Sequence, residues 1–189
     1  MSENPPLYQE LFMLLTKRQE AESLHAQTLS DLVFRFRDAV HAQLGFPQET
    51  FPRSANDNDS TENPVIQDEP WVRVYEFTEG QMQPVNGSVL SSIREDGSLS
   101  FAIGVSLSAE LDSHPKYHFW AGYTLSIHNA TGTPVLSTLS GKPREYRIIN
   151  NDFSKAVDGF INDVKDLLDP NGIFNAKKNT ECIGFFCTN

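Results

Sequence analysis

Residues 99–108 read LSFAIGVSLS and residues 117–128 read YHFWAGYTLSIH. In the first stretch Leu99, Phe101, Ile103, Val105 and Leu107 alternate with Ser100, Ala102, Gly104, Ser106 and Ser108. In the second, Tyr117, Phe119, Ala121, Tyr123, Leu125 and Ile127 alternate with His118, Trp120, Gly122, Thr124, Ser126 and His128. A strict period of two predicts two strands, each with one apolar face and one face of small or polar residues. Asp112-Ser113-His114-Pro115 turns the chain between them. Upstream, Asp96-Gly97 predicts a hairpin through a type I′ turn, and the strand entering it falls around Ser88–Arg94. Trp71–Phe77 reads as a further strand. Downstream, Val135–Ser140 and Arg144–Ile149 flank Gly141-Lys142-Pro143. Consecutive strands joined by tight turns predict an antiparallel meander of about five strands, with no parallel crossover.

Helices bracket this sheet. Near the N-terminus Leu7, Leu11, Leu14 and Leu15 form one apolar stripe, and Leu29, Leu32, Val33, Phe36, Val40 and Leu44 form a second. Lys17, Arg18, Gln19, Glu20 and Glu22 interrupt the seam. The segment 1–47 is therefore one long helix with a polar waist or two helices, closed by Gly45 and Pro47. The spacing follows a coiled-coil heptad only loosely, so a helical pair packed on the sheet is favoured over an arm that makes a homodimer. Near the C-terminus Phe153, Ala156, Val157, Phe160, Ile161, Val164, Leu167 and Leu168 fall at helical spacing, after Asn151 or Asp152 as cap and before Pro170 and Gly172 as stop. Helices, then strands, then a helix is the α+β class.

Between the first helix and the sheet, residues 48–70 carry six acids and one base, Arg53, half of the net charge of −10. Poor in apolar residues, this stretch reads as an acidic flexible linker. From Trp71 to the end the chain counts 13 acids against 10 bases and is only mildly acidic. No basic stripe exists to hold a nucleic-acid backbone. The start of the chain shows no signal-peptide pattern and no run spans a membrane, so the expectation is a cytoplasmic protein. Cys182 and Cys187 stand close together in a tail whose Ile183, Phe185 and Phe186 are expected to dock on the domain's core or sheet edge. Two cysteines so close form no disulfide framework.

No catalytic motif is assembled. There is no nucleophile elbow, phosphate loop or dinucleotide fingerprint. His118 and His128 lie ten residues apart, about 33 Å on a straight strand, too far to share one metal ion. No cofactor and no metal are expected. Two surfaces stand out as protein-binding candidates. One is the polar strand face of His118, Trp120 and Thr124, where an outward tryptophan is an interface anchor. The other is the basic turn of Lys142, Arg144 and Arg147, which equally suits a charged edge strand. A pocket between a curved sheet and the helices is the alternative, drawing on His114, His118, Tyr123, His128 and Arg144. A nucleic-acid mimic is a further alternative, resting on Asp158, Asp163, Asp166 and Asp169, which Lys165 interrupts.

In layout alone, helix–sheet–helix in a small acidic chain resembles secretion chaperones, immunity proteins and phage or plasmid inhibitors, an analogy of fold rather than of site. The resulting expectation is a non-enzymatic regulator or inhibitor of a protein partner.

Overall fold

A computed structural model describes residues 7–46, 50–54, 66–78, 81–85, 90–91, 93–107, 116–128, 130–139, 143–169 and 183–188. The class is α+β with an antiparallel sheet, as the alternation and the order of elements predict.

The N-terminal segment is one helix, α1 (Leu7–Leu44), and not a pair. Its 38 residues span about 57 Å at 1.5 Å each. The polar waist does not break it, because Lys, Arg, Gln and Glu are good helix formers and no proline or glycine intervenes. Only the second half packs on the domain. Leu29, Leu32, Val33, Phe36 and Val40 are buried, whereas Leu7, Leu11, Leu14 and Leu15 are exposed. The packed half starts at His25, whose Nε2 lies 2.8 Å from the carbonyl of Gly97. Ser30 fixes the next turn: its hydroxyl donates to the Ala26 carbonyl and accepts the amide of Leu90.

Strands β1 (Thr50–Ser54) and β2 (Ile66–Pro70) form a small antiparallel sheet of their own. Both ends of the stretch read as a linker are thus paired. Phe51 provides the reason: it is buried against Trp71, ring centroids 4.5 Å apart, and Phe46 stacks on the same indole at 5.0 Å. Residues 55–65 lie outside the described residues.

The main sheet has seven strands: β3 (Val72–Thr78), β4 (Gln81–Pro84), β5 (Leu99–Leu107), β6 (Lys116–Ile127), β7 (Pro134–Thr138), β8 (Glu145–Arg147) and β9 (Ile183–Thr188). The order is β4-β3-β5-β6-β7-β8, with β9 added to β6. β5 lines one edge of β6 throughout, Leu99 opposite Leu125 and Leu107 opposite Tyr117. The other edge is shared. β7 pairs with residues 123–127 of β6, and β9 pairs with residues 116–121. The apolar tail therefore docks on a sheet edge, as its composition predicts. β4 was not legible in its sequence, Gln81-Met82-Gln83-Pro84, which is short and mostly polar. Ser88–Arg94 contributes only an isolated bridge, Ile93 to Leu99, among its described residues.

The Asp96-Gly97 signal marks a turn of a different type. Gly97 takes a φ of 78°, but Asp96 does not take a positive φ, so the turn is not type I′. Arg94 accepts the amide of Gly97 at 2.9 Å, and its own amide donates to Ser98 at 2.8 Å. This is a three-residue loop closed by a glycine bulge. The Asp96 carboxylate accepts both the amide and the hydroxyl of Ser98, which holds Asp96 in the turn and pulls its pKa below the usual carboxylate value.

α2 (Ser154–Leu168) follows β8. Phe153, not Asn151 or Asp152, takes the N-cap place, and no side chain caps the helix. The Asp152 carboxylate, one residue earlier, accepts the Ser154 amide at 2.9 Å and leads the chain into the first turn. Pro170 and Gly172 lie outside the described residues. Both helices pack on the same face of the sheet. Phe36 sits between them and the strands, with ring centroids 5.3 Å from Tyr123, 5.8 Å from Phe153 and 6.5 Å from Phe101. Phe36→Ala is expected to lower unfolding free energy by about 3–5 kcal/mol in urea titrations, with the cavity opening between α1, β5, β6 and α2.

Candidate functional site

With the helices on the face of Phe101, Phe119, Tyr123 and Leu125, the opposite face of the sheet carries the small and polar residues. No described helix covers it, yet Ser100, Ala102 and Ser106 are buried. Part of the cover on this face comes from the sheet's own side chains. Tyr75, on β3, lies over Gly104: a Cβ on that glycine would stand 2.5 Å from the tyrosine ring. Phe77 and Leu139 close over Gly122 in the same way, at 3.6 and 3.4 Å from such an atom. The glycines of β5 and β6 thus form a trough that large side chains of the neighbouring strands lean into.

The cross-strand register sets the layout of this face. Gly104, Trp120 and Gly184 lie side by side on β5, β6 and β9. Trp120 is half-buried between two positions that have no side chain, and among the described residues its buried indole N–H has no acceptor. One residue pair along, the Ser106 hydroxyl lies 2.8 Å from Nδ1 of His118. In the other direction, Thr124 lies 3.3 Å from the Ser100 hydroxyl. Met82, opposite Phe77, and Tyr75 continue the apolar surface to the edge at β4.

Towards β8 the same face turns polar. Ser126 is aligned with Val135 and Arg147, and Thr124 with Ser137 and Glu145. A shallow groove of about 340 Å³ opens there, lined by Ser126, His128, Thr131, Thr133, Glu145 and Arg147 among others.

The structure brings His118, Trp120, Thr124 and Arg147 onto one face. It does not place Arg144 with them. Arg144 reaches across to α2, where its guanidinium bonds Asp163 and lies 3.5 Å from the carbonyl of Gly159. Burial works against the charge on Arg144, but the bond and attraction to Asp163 outweigh it and raise the pKa. Tyr146 packs its hydroxyl against Gly159, where a Cβ would stand 2.1 Å away. Tyr123 lies in the core beside this group, its phenol pushed well above the usual value by burial and then by Asp163. The pocket set is accordingly divided. Tyr123 faces the helices, His118 faces away from them, His128 is exposed at the end of β6, and aromatic rings fill the space between sheet and helices. Asp163, one of the acids expected on a phosphate-like array, is engaged by Arg144. Lys142 and His114 lie outside the described residues. Among the described residues no group of His, Cys, Asp and Glu could hold a metal ion, and no helix is long and apolar enough to cross a membrane.

The sequence singled out Trp120 but missed Tyr75, which leans over Gly104 next to it, and Phe77 and Met82 farther along the same face. The signal was present in the run of small residues on β5, which on a sheet face implies something large close by.

Comparison with known proteins returns no match: no protein family, no curated protein and no solved structure is similar enough to lend the chain a family or a function.

Two outcomes test this geometry. Gly104→Ala should cost about 1–3 kcal/mol through overpacking against Tyr75. Adding Tyr75→Ala should make the cost of Gly104→Ala vanish, a coupling that a double-mutant cycle by urea unfolding would read. Arg144→Ala should destabilise by about 1–2 kcal/mol, because it leaves the partly buried Asp163 without its cation; a change under a few tenths would show that the pair does not hold α2 to β8.

Proposed function

We propose that this chain is a non-enzymatic protein that binds a protein partner and regulates or inhibits it, using the face of the sheet that no described helix covers, centred on Trp120. The observation that carries this reading is the composition of that face. Tyr75, Phe77, Met82 and Trp120 are half-buried on this one face, Tyr75 and Phe77 packed over glycines of the next strands, and aromatic residues and methionine are enriched where proteins meet. Large side chains locked on a sheet lose little further freedom on binding. The unpaired indole N–H adds to the case. An unsatisfied buried donor costs about 1–3 kcal/mol, and a turn of the indole towards a partner's carbonyl would remove that cost. His118, Thr124 and Arg147 supply polar contacts at the rim.

A small-ligand reading is favoured by one observation, the hydroxyl-lined groove beside His128 and Arg147. Its volume falls in the range of ligand sites, about 300–1,000 Å³, but its lining side chains are largely exposed and offer no enclosed apolar wall. The partner reading has a self-directed branch as well, a homodimer through the exposed half of α1.

Affinity capture from the source cell lysate, followed by titration of the purified partner, tests the main reading. One stoichiometric protein should be retained by the wild-type chain and by Arg144→Ala. Trp120→Ala and Tyr75→Ala, with circular dichroism unchanged, should each weaken it by at least tenfold, the scale of an interface hot spot. A partner bound equally well by both variants would move the binding surface elsewhere. Retention of no protein, with a small molecule displaced by Arg147→Ala, would give the groove the function instead.

A further inference from the structure

The first turns of α1 expose more apolar surface than the domain needs to leave open. Leu7, Tyr8, Leu11, Phe12, Leu14 and Leu15 are between 52% and 76% exposed, and among the described residues the helix first bonds to the domain at His25. On a helical projection these six occupy one face about 160° wide. Taking about 150–250 Å² for a large side chain, they present roughly 600 Å² together, at the top of what a monomer leaves open. In a heptad frame Phe12 falls outside the seam, and the other five side chains of two copies bring together about 1,000 Å², the size a specific interface needs.

Charge decides what covers this face and in which direction. In a heptad frame Leu7 and Leu14 take d positions, Leu11 and Arg18 take a, Glu10 and Lys17 take g, and Tyr8 and Leu15 take e. A parallel pair would set Arg18 against Arg18 inside the seam and leave Glu10 beside Leu15. An antiparallel pair matches g to g and e to e. Centred between Leu11 and Leu14, it sets Leu11 against Leu14 of the second copy, Glu10 against its Lys17, and Tyr8 against its Leu15. Each of these contacts occurs twice, as a two-fold axis requires. Arg18 falls at the end of the seam, where its stem can lie over Leu7 of the second copy while its guanidinium keeps the Glu22 contact at 2.8 Å.

We infer that the exposed half of α1 pairs with the same segment of a second copy as an antiparallel helix pair centred between Leu11 and Leu14, with Glu10 meeting Lys17 across it. This rests on the self-association branch of the reading above and is independent of what the sheet face binds. The two domains then project from opposite ends, with their Trp120 faces free.

Sedimentation equilibrium of the full chain at tens of micromolar tests it. The wild type should run at twice the 21.2 kDa chain mass, and Leu11→Glu/Leu14→Glu should run as a monomer with an unchanged near-ultraviolet spectrum. Glu10→Lys and Lys17→Glu should each weaken the dimer about tenfold through two like-charge contacts, and the double reversal Glu10→Lys/Lys17→Glu should restore it. A dimer that both single reversals weaken and the double does not restore would overturn the antiparallel register while keeping the helix interface. A dimer that survives Leu11→Glu/Leu14→Glu, or a wild-type monomer, would overturn self-association through α1 altogether. In the monomer case, co-sedimentation with anionic phospholipid vesicles would assign the face to a lipid surface.

Discussion

Phe36 is the point at which the helices meet the sheet. Its ring touches Phe101 on β5, Tyr123 on β6 and Phe153 at the entry to α2. Edge-on and stacked contacts of this kind add to what area burial alone contributes. The seat of this ring determines which face of β5 and β6 is inside, because period-two strands cannot turn one side chain inward without turning all its alternate neighbours with it. Once Phe101 and Tyr123 face α1, the residues Ser100, Ala102, Gly104, His118, Trp120 and Thr124 must face away. The candidate binding surface is thus a consequence of core packing on the other side of one sheet.

That much was legible in the sequence. The alternation of residues 99–108 and 117–128 is unbroken, and the two faces differ so sharply in size and polarity that the burial of one follows. The second helix was equally plain, because its apolar residues recur at three and four with an acid before the first turn. What escaped was set by contacts between distant residues. Residues 50–54 read as part of a tether because they are polar on average, but a single phenylalanine, Phe51, finds Trp71, on which Phe46 also stacks, and fixes the strand. The turn at Asp96-Gly97 was placed correctly and typed wrongly, because the Ser98 hydroxyl, two residues beyond Asp96, competes for the conformation of that aspartate. Arg144 was grouped with Arg147 by proximity in sequence, but residues three apart on an extended chain face opposite sides, and Asp163 captured the one on the helix side.

The sheet closes late along the chain. β6 is the central strand, and one of its edges is completed by two segments, β7 and β9, laid end to end. The first arrives by a local turn. The second returns only after α2 has intervened, and loop closure of that length is slow relative to hairpin formation. Until β9 is in place, residues 116–121 of β6 keep an open edge, the kind of surface that invites pairing with another chain.

Tyr75 and Gly104 share one volume. The ring of the first occupies the space that any side chain on the second would need. Across a lineage these two positions are therefore bound to drift together, bulk passing from one strand to its neighbour while the sum stays fixed. A homologue with a larger residue at 104 should show a smaller one at 75, and its outer face would then present a dent where this chain presents a ring.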